Sequence, residues 1–227
     1  KSLLTDVLWP GWEWGPMNMP HLRYVTFSYS VGLTQRDNGR FRDLLMSPEF
    51  QKLWGKRFGL RKVGEERVTN DKTGWKFASS VGGVGTGERG DRVILDDPHN
   101  VKESESDVVR SETVRWFRES MSNRLNDINK SAVVVIMQRV HEEDVSGVIL
   151  SDYKDYCHLM VPMRYEPTRY PFGYNGNDIG WLDPREDDGD YAWPERFPPP
   201  ALAQFERQPY MWAGQYQQSP TPRGGGI

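Results

Sequence analysis

Two runs of apolar residues constrain the fold of this chain most strongly, because neither run alternates with polar residues. Residues 92–95 form a short β-type run that ends in Asp96 and Asp97, and residues 131–137 form a longer one, SAVVVIM. Continuous apolar strands of this length are typical of parallel sheets, and we expect the second run to be buried on both faces. Helical patterns lie between such strands, which predicts an α/β layered domain with a mostly parallel sheet.

Other segments add helices and strands to this layout. Residues 1–14 have helical spacing with Leu3, Leu4, Val7 and Leu8 on one face, and Ser47 followed by Pro48 has the pattern of a helix N-cap. The predicted strands cover residues 22–30, 67–70, 75–80 and 156–161, and the second and third of these form a hairpin. The predicted helices cover residues 33–45, 106–125, 143–150 and 201–207.

The composition limits the classes of protein to consider. With 227 residues, of which 37% are hydrophobic and 27% charged, the chain can bury a full core, as a globular protein does. A single cysteine, Cys157, excludes an internal disulfide framework, and we expect this residue to lie in the core. The net charge of −3 indicates that any contact with DNA would be local.

Changes in amino-acid composition along the chain predict three segments. Residues 1–163 form the α/β core, residues 164–212 are rich in proline, glycine and aromatic residues and are expected to be irregular, and residues 213–227 have the composition of a linker. The chain begins with Lys1 rather than methionine and ends in Gly-Gly-Gly-Ile, so we expect it to be a piece of a longer protein.

The pair Asp96-Asp97 is the first candidate for a functional site. The carboxyl edge of a parallel sheet is where α/β folds bind ligands, and an acid there can hold Mg²⁺. Taken alone, the pair more often marks a strand that leaves the sheet into solvent, since Asp-Asp-Pro is common turn chemistry. The chain also opens with Lys1-Ser2 directly before a helix, which is how a phosphate-binding P-loop of the form G-x-x-x-x-G-K-[ST] ends.

These features together resemble the ATPase domain of the large subunit of tailed-bacteriophage terminases, the motors that package DNA into procapsids. The resemblance is carried by five stretches in the same order: KSLLTDVLWPGWEWG, SYSVGLTQRDNGRFRDLLMSPEFQ, the GxGTGERGDRVILDDPHN block, VVVIMQRVHEEDVSG and WAGQYQQSPTPRGGGI. It implies a P-loop NTPase fold of the RecA-like (ASCE) type that is cut within the Walker A motif and before a nuclease domain. On this basis residues 1–163 are the ATPase core without its first part, residues 164–212 its irregular end, and residues 213–227 the linker to the nuclease.

The resemblance also implies roles for individual residues. Lys1 would contact the β- and γ-phosphates of ATP, and Ser2 and Asp96 would bind Mg²⁺. Asp97 would orient the attacking water, although many terminases carry a glutamate there, which is longer by one methylene. We expect ATP and Mg²⁺ as cofactors, and poor ATP binding by these 227 residues alone, because the glycine-rich half of the P-loop would precede Lys1.

Two further catalytic residues follow from the same resemblance. Arg89-Gly90 stands where terminases carry an arginine that reaches the γ-phosphate of a neighbouring subunit, and the alternative is a solvated arginine in a glycine-rich loop. Gln138 would sense the γ-phosphate from a coupling motif in which relatives often have Thr-Arg-Trp-His. His141 and Asp144 are expected to cap the helix at residue 143 rather than to bind a metal, since no second histidine has helical spacing.

The resemblance implies the partners and the place of action as well. The partners are double-stranded DNA, the portal protein, the terminase small subunit and further copies of the chain in a ring on the portal. The place of action is the host-cell cytoplasm, and no membrane is involved. Two alternatives stay open, namely another P-loop DNA motor such as a helicase, and a non-catalytic scaffold that binds DNA or the portal.

Overall fold

The computed structural model describes residues 1–83, 87–169 and 180–222, so part of the glycine-rich segment and the end of the predicted linker lie outside the described residues. The chain forms two compact units, Lys1–Met137 and Gln138–Ile227. The predicted boundaries at residues 163 and 212 concern functional parts and stay predictions. No helix in the described ranges is long and apolar enough to cross a membrane.

The first unit is an α/β domain around one six-stranded sheet with the order β2-β3-β4-β1-β5-β6. Its strands are β1 (Arg23–Ser28), β2 (Leu60–Val63), β3 (Arg67–Asn70), β4 (Trp75–Ser80), β5 (Arg92–Asp96) and β6 (Ala132–Ile136). The pairs β1–β4, β1–β5 and β5–β6 are parallel, whereas β2–β3 and β3–β4 are antiparallel. The predicted α/β class, the mostly parallel sheet and the hairpin are therefore confirmed, and β2 is a strand that the sequence did not predict.

Helices lie on both faces of this sheet. They are α1, which is π-helical over Leu3–Leu8 and α-helical over Trp9–Trp14, then α2 (Val31–Met46), α3 (Pro48–Trp54) and α4 (Asp107–Ser120). The side chain of Ser47 accepts a hydrogen bond from the backbone N–H of Phe50, which confirms the predicted N-cap of α3. On the other face, Trp116 of α4 contacts Phe27 of β1 edge to face, with the ring centroids 5.0 Å apart.

The face that α1 presents to the sheet differs from the apolar face seen in the sequence. Val7 is buried, but Leu3, Leu4 and Leu8 are exposed, and Asp6 is buried in their place. In a π-helical turn, the side chains that share one face differ from those that would share it in an α-helix. Polar contacts at the start of the helix determine which face packs against the sheet.

The core of the first unit forms where α1, α2 and α3 meet the sheet. Trp14 is fully buried, packs edge to face against Phe41 and Phe58, and donates its indole N–H to the carbonyl of Leu22 at 3.0 Å. Because tryptophan has both a large apolar ring and one donor, this arrangement leaves neither part unsatisfied.

The prediction that residues 131–137 are buried on both faces was wrong. All five residues of β6 are only half-buried, because β6 is the last strand of the sheet in the described structure. A continuous apolar run indicates a strand, but it does not tell a central strand from an edge strand.

The described part of the second unit includes the α-helices α5 (Val145–Asp152), α6 (Pro199–Glu206) and α7 (Pro209–Met211) and a short 3-10 helix, Pro167–Arg169. Helix α7 continues into a π-helical turn over Trp212–Tyr216. The strand predicted at residues 156–161 is absent, and Cys157 is exposed rather than in the core. Within the predicted linker, Gln217 is buried and its side chain accepts a hydrogen bond from the backbone N–H of Arg164.

Candidate functional site

The carboxyl edge of the sheet presents the two aspartates at the end of β5. Asp96 is the last residue of the strand and pairs with Ile136 of β6. The backbone N–H of Asp97 donates to the carbonyl of Ile136 at 2.8 Å, and the carbonyl of Asp97 accepts from the N–H of Tyr29 at 3.0 Å. Both neighbouring strands therefore fix the backbone of Asp97, which does not leave the sheet as a free turn.

Asp97 has an unusual backbone conformation, with a φ of 46°. This left-handed region costs most residues energy, and asparagine and aspartate tolerate it best apart from glycine. Strained residues of this kind concentrate at functional sites, where the surrounding hydrogen bonds hold them in place.

We therefore expect Asp97→Ala to unfold more easily than Asp97→Asn by about 1 kcal/mol, because alanine lacks the short polar group that favours the left-handed region. Urea unfolding of the two variants measures this difference. The matched control is Asp43, an exposed residue in the last turn of α2, where alanine should instead be the better replacement. Alanine stabilising the protein at both positions would contradict the strain at Asp97.

Lys1 and Ser2 meet these two aspartates from the start of α1. The ammonium group of Lys1 forms an ion pair with Oδ1 of Asp97, and the hydroxyl of Ser2 donates to Oδ2 of Asp96. The partners are separated by 96 and 94 positions along the chain. The four residues predicted to bind the phosphates, the metal and the water are thus brought together at one end of one helix and one strand.

The carboxylate of Asp96 lies among polar groups but has little contact with solvent. Only 8% of Asp96 is exposed, and burial raises its pKa, an effect that the Ser2 hydrogen bond opposes and the Asp97 charge reinforces. Its other oxygen, Oδ1, is buried and has no hydrogen-bond partner in the described structure. A buried carboxylate oxygen without a partner is costly, and a bound cation would satisfy it.

These residues fit a Mg²⁺ ion. Mg²⁺ prefers oxygen ligands and is commonly held by one or two carboxylates together with water and substrate phosphates. Asp96 and Ser2 supply a carboxylate and a hydroxyl of this kind. No group of three or more His, Cys, Asp or Glu side chains with metal-binding geometry occurs among the described residues, so most ligands of such an ion would have to come from water and phosphate.

Behind this site lies a buried charged cluster that the sequence did not reveal. Lys76 of β4 is fully buried and donates to Oγ1 of Thr26 at 3.4 Å and to Oδ1 of Asn38 at 3.3 Å. Asp6 of α1 is 1% exposed, and burial raises its pKa to about 6, while the charge of Lys76 lowers it and that of Asp96 raises it further. A lysine in a predicted strand is normally assigned to the solvent face, so the sequence held no signal for this cluster.

Arg89 does not lie at the carboxyl edge of the sheet, where the two aspartates are. It precedes the amino end of β5, and a strand of this length separates its two ends by about 13 Å at about 3.3 Å per residue. Gly90 next to it is pinned, because its N–H donates to the carbonyl of Arg124 at 2.8 Å and its carbonyl accepts from the N–H of Asn126 at 3.0 Å. A side chain at position 90 would come within 2.9 Å of the carbonyl of Arg92, which explains the glycine.

Gln138 is the first residue of the second unit and is exposed. Its place near the γ-phosphate stays a prediction. The residues after it do form the predicted helix cap, in which Asp144 accepts from the N–H of Gly147 at 2.8 Å. Asp144 is thus the N-cap of α5, as predicted, and Arg139 pairs with it at 2.9 Å. His141 does not cap the helix itself, because its Nδ1 accepts from the N–H of Glu143 at 3.1 Å, in the turn before the helix begins.

Comparisons with known proteins add no family to this geometry. A scan against protein-family models gives no match, and a search of curated proteins gives no match either. The class that the described structure defines is therefore an α/β domain with a lysine, a serine and two aspartates gathered at the carboxyl edge of a mostly parallel sheet.

Proposed function

We propose that this chain is the ATP-hydrolysing domain of a DNA-packaging motor of the terminase large-subunit type, with a P-loop NTPase fold. The observation that carries the proposal is the meeting of Lys1-Ser2 with Asp96-Asp97 across more than ninety residues of chain. A P-loop ends in Lys-Ser at the start of a helix, and the metal-binding acid of such proteins ends a neighbouring strand, so the two halves of a nucleotide site are expected to meet in this way.

Each residue of the site has a chemical task in this proposal. Lys1 binds the β- and γ-phosphate oxygens and leaves Asp97, its partner in the present structure, to hold and orient the attacking water. Ser2 and Asp96 supply the oxygen ligands for Mg²⁺. When bound, Mg²⁺ neutralises charge on the phosphate oxygens.

The position of Arg89 supports action on a neighbouring copy rather than on its own nucleotide. It lies at the amino end of β5, whereas the aspartates lie at the carboxyl end. The terminase type of motor includes a ring of copies on a portal, and such a ring would bring the arginine of one copy to the phosphates of the next. Double-stranded DNA, the portal, the small subunit and the cytoplasm of the host are proposed with the motor on the strength of the sequence resemblance.

The test is Mg²⁺-dependent ATP hydrolysis by the whole protein, with and without linear double-stranded DNA. Lys1→Met is expected to lower the rate about a hundredfold, because it removes the fixed cation that stabilises charge on the phosphates. The matched control is Lys130→Met, an exposed lysine before β6 at the other end of the sheet, which should hydrolyse ATP at the normal rate.

The alternatives predict other results. A helicase-like motor would be stimulated by single-stranded DNA and would separate strands. A scaffold would bind DNA or the portal without hydrolysing ATP. Unchanged hydrolysis in Lys1→Met would remove Lys1 from the site and, with it, the main support for a P-loop.

A further inference from the structure

Arg89 is presented on a short piece of backbone that is fixed on both sides. On one side, Gly90 is held by its hydrogen bonds to Arg124 and Asn126. On the other side, the carboxylate of Glu88 forms an ion pair with the guanidinium of Arg67 in β3. The side chain of Arg89 itself is exposed and makes no hydrogen bond or ion pair within the described part of the chain.

Arg67 is preorganised for its ion pair with Glu88. Its guanidinium carbon lies 4.7 Å from the ring centroid of Trp75 and 4.9 Å from that of Phe77, both on the neighbouring strand β4. Surface ion pairs usually contribute little, because holding two long side chains in one geometry costs entropy. Stacking on two rings has already immobilised the planar group of Arg67, so that cost is reduced.

The charge next to this segment also favours an outward position of Arg89. Arg124 is 5% exposed, and its pKa is lowered by burial and then by the nearby charge of Arg89. Two like charges repel each other more strongly where water is scarce. Since Arg124 is held inside, Arg89 is the member of the pair that extends into solvent.

We propose that Arg67 and Glu88 form a latch that positions Arg89 by fixing the backbone on the side opposite Gly90. The inference rests on the proposed function where it concerns the action of Arg89 on a phosphate, whereas the latch itself does not depend on it. Arg67 is a positioning residue in this scheme. It contacts neither the nucleotide nor the metal, and it acts only through Glu88 and Arg89.

The test uses Arg67→Gln and Glu88→Gln in the whole protein, with Arg61→Gln in the neighbouring strand β2 as the control arginine. Either latch variant is expected to accelerate amide hydrogen exchange at Gly90, whose N–H donates to the carbonyl of Arg124, about fivefold. This factor corresponds to the free energy of a lost, partly exposed ion pair. Exchange in β1 should stay unchanged in all three variants. Unchanged exchange at Gly90 in both latch variants would overturn the latch.

A second readout separates positioning of Arg89 from general loss of structure. ATP hydrolysis is expected to fall about tenfold in Arg67→Gln, because small displacements of a catalytic group have large effects on rate. The same substitution in an Arg89→Ala background should cause no further fall, although it should still accelerate exchange. Arg67→Lys, which keeps the charge but loses the planar stacking, should lie between wild type and Arg67→Gln.

The other possible results distinguish the latch from the proposed role of Arg89 in hydrolysis. A further fall of the rate in the Arg89→Ala background would show that Arg67 does not act through Arg89, and would overturn the positioning role. If Arg89→Ala alone leaves hydrolysis unchanged, the proposed role of Arg89 fails. Faster exchange in the two latch variants would support the latch in that case too.

Discussion

Asp96→Asn is expected to lower Mg²⁺-dependent ATP hydrolysis at least about a hundredfold, because a neutral amide replaces the carboxylate that would bind the metal. Stabilisation of the phosphate charge by the metal contributes several kcal/mol to catalysis. Steady-state hydrolysis by the whole protein at saturating ATP, measured over a range of Mg²⁺ concentrations, checks this result. A loss that high Mg²⁺ partly restores would indicate weakened metal binding.

The same substitution should leave the fold intact or make it more stable. Burial raises the pKa of Asp96, so the ionised carboxylate costs stability in the folded protein at neutral pH, and asparagine removes that cost. The melting temperature should therefore stay equal or rise while the activity falls, which excludes unfolding as the reason. Asp43→Asn, at an exposed position of α2, is the control that should change neither quantity. Normal hydrolysis by Asp96→Asn would mean that the proposed metal site is wrong.

The second large effect is expected at Asp6, whose substitution by asparagine should change how stability depends on pH. Burial raises the pKa of Asp6 from an ordinary value of 3.8 to about 6. The folded protein therefore holds this proton more tightly than the unfolded chain does. The stability that the proton contributes is fully present below pH 4 and is lost as the pH rises through about 6.

The size of this loss is about 3 kcal/mol, from about 1.4 kcal/mol for each pH unit between the two pKa values. We expect Asp6→Asn, which cannot ionise, to lack this loss and to be the more stable protein at pH 7. The free energy of unfolding, measured by urea denaturation from pH 4 to pH 7.5, gives both curves. A constant difference between wild type and Asp6→Asn over this range would contradict the raised pKa.

Asp6 also shows why the charged cluster could not be predicted. The sequence of α1 has an apolar face of leucines, and an aspartate next to it is ordinarily assigned to solvent. The structure buries Asp6 and exposes Leu3 and Leu4, because contacts of Ser2 and Val7 with the rest of the unit decide how the helix is turned. Such contacts come from residues that are distant in sequence, and no local pattern contains them.

Strands β5 and β6, by contrast, could be predicted from the sequence alone. Uninterrupted apolar runs predicted both strands, and the acid pair after β5 became a candidate site only together with Lys1-Ser2 and the family resemblance. Parallel strands necessarily bring their carboxyl ends to one edge, so the place of Asp96 and Asp97 followed from local sequence and strand direction. Their candidate roles came from the family resemblance and remain to be tested.

The amino-acid sequence by itself determined the α/β class, most of the helices and strands, and the caps at Ser47 and Asp144, because periodicity and capping depend on neighbouring residues. The tertiary structure decided what depends on distant partners. It brought Lys1 and Ser2 to the aspartates and placed Arg89 at the opposite end of β5. It also buried Lys76 behind the site and exposed Cys157, since burial depends on which parts of the chain pack over a residue and not on its neighbours in sequence.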